Sequence, residues 1–98
     1  MMMDAKIREA VPVCELLAGL AEECCELAQA ALKLRRCYDG KYNPTQADPD
    51  KQYEQLLEEI GDVELYLDQL SINRVVIHDY KEWKLARWRK RLEGAEEK

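Results

Sequence analysis

The sequence predicts an all-α fold in which a single domain forms an antiparallel helical bundle. Two long segments carry apolar residues at the spacing of an amphipathic helix, and a stretch containing Gly and Pro separates them. A third helical segment follows. No stretch alternates polar and apolar residues for long enough to predict a strand. A chain of 98 residues and 11.5 kDa has room for one domain, which we assign to residues 1–98.

The first long helix is predicted over residues 12–37. Residues 1–10 form a short, charged segment that predicts no more than a helical turn. Pro12 suits the first turn of a helix, where its missing N–H leaves no hydrogen bond unmade. Arg35 and Arg36 in the last turn complement the negative end of the helix dipole. One apolar stripe is expected to face the core, formed by Leu16, Leu20, Cys24, Leu27, Ala31 and Leu34.

A loop over residues 39–50 and a second helix over residues 51–70 follow. Gly40, Pro44 and Pro49 lie in the loop among Asn, Asp and Thr. The helix carries two apolar rows on different sides: one comprises Tyr53, Leu56, Ile60, Val63 and Leu67, and the other comprises Leu57, Gly61 and Leu65. A helix with two apolar faces needs partners on both, so we expect oligomerisation to complete the core.

The last helix is predicted over residues 74–92, after a tight connection at residues 71–73. Asn73 has the side chain of an N-cap residue, whose oxygen accepts hydrogen bonds from the first helical N–H groups. The residues that this helix is expected to bury are Ile77, Tyr80, Trp83 or Lys84, and Trp88.

The charge of the chain disfavours general binding to nucleic acids and to anionic membranes. It has 20 acidic and 15 basic residues, which give a formal net charge of −5. Six of the basic residues nevertheless crowd one stretch of the last helix, at Lys81, Lys84, Arg87, Arg89, Lys90 and Arg91. Binding of single-stranded nucleic acid therefore stays an alternative, since Trp83 and Trp88 are interleaved among these charges.

The four cysteines are interpreted as small buried hydrophobes in a reducing cytosol; they are Cys14, Cys24, Cys25 and Cys37. Their spacings do not form the paired CxxC of a zinc site. A disulfide framework would need a secretory context, and residues 1–10 contain no apolar segment of a signal peptide. No uninterrupted apolar run approaches the length that spans a membrane. We therefore expect a cytoplasmic protein without a membrane partner.

Two carboxylate pairs are the candidate chemical groups of the chain. Glu23 and Glu26 lie three residues apart in the first long helix, and Glu59 and Asp62 have the same spacing in the second. Residues three apart share a helix face about one turn apart. Glu23 and Glu59 fall at the edges of the apolar arcs of their helices, whereas Glu22 points away.

In neighbouring antiparallel helices these four carboxylates would converge at a partly buried seam. Like charges repel and lose hydration there, and a divalent cation removes the conflict. An all-oxygen site without His or Cys suits Mg²⁺ or Mn²⁺, and the absence of an ExxH pair excludes a di-iron bundle. Paired glutamates on a solvated helix face are the alternative interpretation.

The carboxylates also resemble the motif of a known family. Glu22-Glu23-x-x-Glu26 followed by Glu59-x-x-Asp62 resembles the EExxE…ExxD signature of the all-α nucleoside triphosphate pyrophosphohydrolases, the MazG-like superfamily. This family hydrolyses a nucleoside triphosphate, usually a deoxy or non-standard one, to the monophosphate and pyrophosphate. By position, the resemblance implies that Glu23, Glu26, Glu59 and Asp62 ligate Mg²⁺, and that Glu22 acts in the outer shell or orients water.

The resemblance extends beyond the carboxylates. Residues 20–27 and 57–64 are similar to the two motif helices of the family, and residues 79–85 are similar to the Lys-bearing third element of small, phage-type members. Lys81 and Lys84 would then balance the remaining charge of the triphosphate, with a solvated basic face as the alternative.

Family members assemble as dimers or as tetramers of two dimers, in agreement with the second apolar row. The base pocket is not identified by sequence, because Tyr38, Tyr42, Tyr53, Tyr66 and Trp83 could each stack on a base. The main alternative function is a non-catalytic helical interaction protein, such as a phage or prophage accessory factor.

Overall fold

The computed structural model describes residues 2–38 and 48–96, and within these ranges every regular element is a helix. The elements are α1 (Ala5–Ala10), α2 (Val13–Tyr38), α3 (Pro49–Gln69) and α4 (Arg74–Glu96). The predicted all-α class is therefore confirmed. In the predicted loop over residues 39–50, residues 39–47 lie outside the described part of the chain. None of the described helices has the length and apolar character needed to cross a membrane.

Helices α2 and α3 form an antiparallel hairpin and make the main interhelical contact of the described chain. Gly19, near the start of α2, lies against the ring of Tyr66, near the end of α3. A Cβ atom at position 19 would lie only 2.5 Å from Cζ and 2.7 Å from Oη of Tyr66. Any larger residue at this position would therefore displace the Tyr66 ring from the α2 backbone or move the two helices apart.

The ends of α3 and α4 follow from capping chemistry. Helix α3 begins at Pro49 rather than at residue 51, because Asp48 caps it and accepts a hydrogen bond from the Asp50 N–H at 3.0 Å. The predicted cap at Asn73 is confirmed: its Oδ1 accepts from the N–H groups of Val75 and Val76 at 3.1 and 3.2 Å. Ser71, with φ of 55°, turns the chain between the two helices.

The amino-terminal segment is attached to the end of α3 through a buried glutamine. Gln69 is only 4% exposed. Its Oε1 accepts a hydrogen bond from the Asp4 N–H at 2.9 Å, and its Nε2 donates to the carbonyl of Met2. The Met2 N–H donates to Asp68 Oδ2 at 3.1 Å. Because Asp4 also caps α1, these bonds hold α1 beside the hairpin.

The residues that α2 turns towards α3 differ in part from the predicted stripe. Leu16, Leu20, Leu27 and Leu34 are buried or half-buried as predicted, but Cys24 and Ala31 are exposed. Glu23 and Ala30 are turned inwards instead. We call the contact line between α2 and α3 the seam. The inward residues of α2 recur on average every 3.5 positions, as in supercoiled helix pairs. This repeat places Glu23 rather than Cys24 on the seam.

The prediction that the cysteines are buried is wrong for Cys14, Cys24 and Cys25, which are exposed. Their positions on α2 lie off the seam, and no described helix covers that side.

Other predicted core positions are also exposed in this chain. Tyr53 and Ile60 lie outside the half-buried face of α3. Tyr80, Trp83, Lys84 and Trp88 are exposed because α4 makes few contacts with the other described helices, and the prediction that they are buried is wrong here. The second row of α3, at Leu57, Gly61 and Leu65, is likewise exposed.

Candidate functional site

Three carboxylates from the two motif helices converge on the seam. Glu23 of α2 and Glu59 and Asp62 of α3 each offer an oxygen, and these oxygens lie within 4.8 Å of one another. We call these three residues the acidic cluster. Glu23 and Glu59 are half-buried because they occupy inward positions of their helices, whereas Asp62 is exposed. The antiparallel register of the hairpin thus brings Glu23 of the first pair beside both members of the second pair, whereas Glu26 lies outside the group.

The surroundings of Glu23 disfavour the ionised form of its carboxyl. The pKa of Glu23 is raised above its ordinary value, first by burial and then by the negative charges of Asp62 and Glu59. Glu26 and Glu22 add smaller effects in the same direction. The repulsion expected from the sequence is therefore present around Glu23, and positive charge placed between these carboxylates would relieve it.

The remaining two predicted carboxylates, Glu22 and Glu26, precede and follow Glu23 along α2. Glu26 and Glu22 are both exposed. Glu26 lines a polar cleft together with Glu59, so it can approach a ligand that the cluster holds. Glu22 lines a separate cavity on the other side of Glu23.

The donor set of the cluster fits a magnesium or manganese ion. All three residues offer carboxylate oxygens, which are the ligands that Mg²⁺ and Mn²⁺ prefer. Gln55 supports this arrangement, since its Nε2 donates a hydrogen bond to Glu59 Oε1 at 2.8 Å. That bond orients the Glu59 carboxylate and leaves its other oxygen available. The i, i+4 spacing of Gln55 and Glu59 is a signal in the sequence that could have indicated this contact.

Two cavities lie along the hairpin, one towards each of its ends, and Glu59 of the cluster lines one of them. The polar cleft has a volume of about 310 Å³, and the residues that characterise it are Glu26, Lys33, Lys51, Gln52, Gln55 and Glu59. The apolar cavity has a volume of about 450 Å³ and lies between α1, α2 and α3, where Val11, Leu16, Gly19, Leu65 and Tyr66 contribute to its wall. Sequence reasoning did not select Lys33 and Lys51, because they come together only through the register of the hairpin.

The two lysines that the family resemblance selects lie elsewhere. Lys81 and Lys84 are exposed on α4, and neither contributes to the polar cleft or to the apolar cavity. On the same helix, the guanidinium of Arg87 lies 4.9 Å from the ring centre of Trp83. Within the described chain, α4 therefore presents its basic and aromatic side chains outwards rather than towards the acidic cluster.

A comparison of the chain with protein-family models, curated proteins and solved structures finds no match.

Proposed function

We propose that the protein is a nucleoside triphosphate pyrophosphohydrolase that depends on Mg²⁺, with Mn²⁺ as a possible substitute. The observation that carries the proposal is the convergence of Glu23, Glu59 and Asp62 from the two helices whose motif suggested this activity. The substrate would be a deoxy or non-standard nucleoside triphosphate and the products its monophosphate and pyrophosphate. The biological role would be the clearance of unwanted nucleotides.

The proposed roles of the residues follow from their positions. Glu23, Glu59 and Asp62 would hold the metal, and Glu26, one turn from Glu23 on α2, would complete the ligand set. A bound Mg²⁺ supplies charge neutralisation of phosphate oxygens and activation of water. Gln55 would keep the Glu59 carboxylate oriented through its 2.8 Å hydrogen bond. These groups position the reacting atoms, which is the main task of a protein in phosphoryl transfer.

We further propose that the MazG-like bundle is completed by oligomerisation to a dimer or tetramer. The second apolar row of α3 (Leu57, Gly61 and Leu65) and the aromatic residues of α4 support this, because the part of the chain that the structure describes leaves these surfaces exposed. Glu22 would not ligate the metal directly; it would act in the outer shell of the metal or orient water. Lys81 and Lys84 would contribute positive charge to the triphosphate from α4, within such an assembly.

The proposal is tested by pyrophosphate release from a panel of standard and modified nucleoside triphosphates, with Mg²⁺ and with EDTA. We expect metal-dependent release of pyrophosphate together with the matching monophosphate. Absence of release from the whole panel, by a protein shown to be folded, would contradict the proposed activity.

A second candidate is a helical interaction protein without catalysis. It is favoured by the exposed side chains of Tyr80, Trp83 and Trp88 on α4, a surface suited to a partner. This function predicts a stable assembly whose mass and stability do not respond to Mg²⁺ or nucleotides. The same release assay, combined with thermal unfolding with and without Mg²⁺, separates the two candidates.

A further inference from the structure

The seam carries three chemically different regions in a fixed order. Along α2, Glu22 lines the apolar cavity, Glu23 belongs to the acidic cluster and Glu26 lines the polar cleft. Along α3 the order is reversed, from Leu65 in the apolar cavity to Gln55 in the polar cleft. The acidic cluster therefore lies between a region suited to an apolar ring and a region suited to a charged group.

The polar cleft has the composition of a polyphosphate site. Lys33 and Lys51 come from different helices, and each offers an ammonium group that binds phosphate as a point charge. Gln29 and Gln52 add amide donors to the same wall. Lys33 is seven residues from Glu26, about 10 Å along the helix axis. Because of this spacing, the cleft has carboxylates at the end next to the acidic cluster and ammonium groups at the other.

The apolar cavity has the properties of a nucleoside site. Its volume of about 450 Å³ lies in the ordinary range for small-ligand pockets, and Leu16, Leu65 and the ring of Tyr66 provide apolar wall. Few polar groups reach it. Gln69 is already engaged with the amino-terminal segment. The other polar side chains that line the cavity are Glu15, Glu22 and Tyr66.

We infer that a nucleoside triphosphate lies along the seam in one direction, with its nucleoside in the apolar cavity and its β- and γ-phosphates in the polar cleft. This inference rests on the proposed function, because that function places the α-phosphate at the acidic cluster. Water then forms the new bond to the α-phosphorus, and the bond from that phosphorus to the oxygen that bridges it to the β-phosphorus breaks. The water proton passes to solvent, the monophosphate remains on the apolar side, and pyrophosphate leaves past Lys33 and Lys51.

The two halves of the inference are tested separately by binding measurements, which do not require turnover. The probes are inorganic pyrophosphate with Mg²⁺ and a panel of nucleoside monophosphates, each titrated calorimetrically. We expect Lys33→Gln and Lys51→Gln each to weaken pyrophosphate binding by about tenfold, since each removes a charge-assisted contact, and to leave monophosphate binding unchanged. Arg35→Gln is the matched control, because Arg35 is an exposed residue of α2 outside the cleft.

The complementary variant is Ala18→Leu, which adds volume to the wall of the apolar cavity at an exposed position of α2. We expect it to weaken monophosphate binding by about tenfold, a loss that corresponds to about 1.4 kcal/mol, and to leave pyrophosphate binding unchanged.

The outcomes distinguish this inference from the proposed function. A wild-type protein that hydrolyses nucleotides, while the two lysine variants bind pyrophosphate as tightly as Arg35→Gln does, would overturn the inference alone. Pyrophosphate binding that needs Lys33 and Lys51, in a protein that hydrolyses nothing, would support the polyphosphate cleft and contradict the activity. A folded wild type that neither binds the probes nor hydrolyses any triphosphate would overturn both.

Discussion

Glu23 occupies a position of α2 where the pattern of the seam calls for an apolar side chain. It is half-buried between Leu20 and Leu27, and two further carboxylates face it from α3. Burial and these negative charges raise its pKa, in that order of importance. A cation held between these carboxylates would relieve their mutual repulsion.

The variant Glu23→Gln is expected to stabilise the metal-free protein at neutral pH. The pKa of Glu23 is raised in the folded state, so its ionised form destabilises the fold above that pKa. As the pH falls through the folded-state pKa the carboxyl takes up a proton, and the penalty is fully relieved below the ordinary pKa of glutamate. The difference in urea midpoint between variant and wild type, measured in EDTA, should therefore be largest at pH 7 and shrink towards pH 4. A difference that grows as the pH falls would contradict this assignment.

The variant Glu59→Gln is expected to lower turnover by at least about 100-fold, since loss of even an outer-shell partner of a metal ligand costs about 10- to 100-fold. The fold should be retained, and in EDTA it should be as stable as wild type or more so, because a repulsive charge has been removed. Steady-state pyrophosphate release and urea unfolding measure the two effects.

Glu58→Gln is the matched control, because Glu58 precedes Glu59 on α3, is exposed and lies outside the acidic cluster. It should leave turnover within about twofold of wild type, as expected for a surface substitution away from special features. Parallel loss of activity and folded structure in Glu59→Gln would count against a metal-binding role.

At the scale of the helices, periodicity and capping predicted the elements, but only in part which residues face inwards. The three long helices and the Asn73 cap follow from local sequence, because breakers and caps act over a few residues. The i, i+3 spacing predicted the two carboxylate pairs, but the convergence of Glu23, Glu59 and Asp62 depends on the pairing of α2 with α3. The predicted stripe of α2 included Cys24 because Cys is more hydrophobic than Glu. The structure turns Glu23 inwards instead, because the position of a residue relative to α3 decides its burial. The contact between Gly19 and Tyr66 and the polar cleft depend on pairing across the hairpin, which local pattern does not contain.

The variant Gly19→Ala is expected to destabilise the fold by about 1–3 kcal/mol, the usual cost of overpacking a close contact. The added methyl would overlap the ring of Tyr66, so either the ring or the hairpin must shift. Gly61→Ala is the matched control: it lies in the middle of α3 with nothing within 4 Å of the added atom. That change should be neutral or stabilise by up to about 1 kcal/mol. Equal loss of stability in both variants, measured by denaturant unfolding, would contradict the close approach of α2 and α3.

The whole molecule is more open than a compact domain of its length. Its radius of gyration is 17.8 Å, against about 13 Å expected for 100 residues. Within the described chain, Leu16 and Ala30 are the buried hydrophobic residues, and α4 is largely uncovered. Both tryptophans of the protein lie on α4, at 59% and 65% exposure. So small a core leaves little burial to offset the entropy of folding, which makes a second copy the simplest source of the missing contacts.

We therefore expect the wild type to be a dimer or tetramer at micromolar concentration, and Leu57→Lys to shift it towards monomer. Leu57 is 48% exposed in the second apolar row of α3. If that row contacts another copy, a lysine there would bury an unpaired charge and destabilise the contact. Light scattering coupled to size-exclusion chromatography measures the mass. Leu32→Lys is the control, since Leu32 is similarly exposed, at 52%, but lies on α2.

Tryptophan emission should shift to longer wavelength with dissociation if α4 is covered in the assembly, because Trp83 and Trp88 would pass into water. A monomeric, stably folded wild type would show that α2 and α3 suffice for stability, and the exposed face of α4 would then require another explanation.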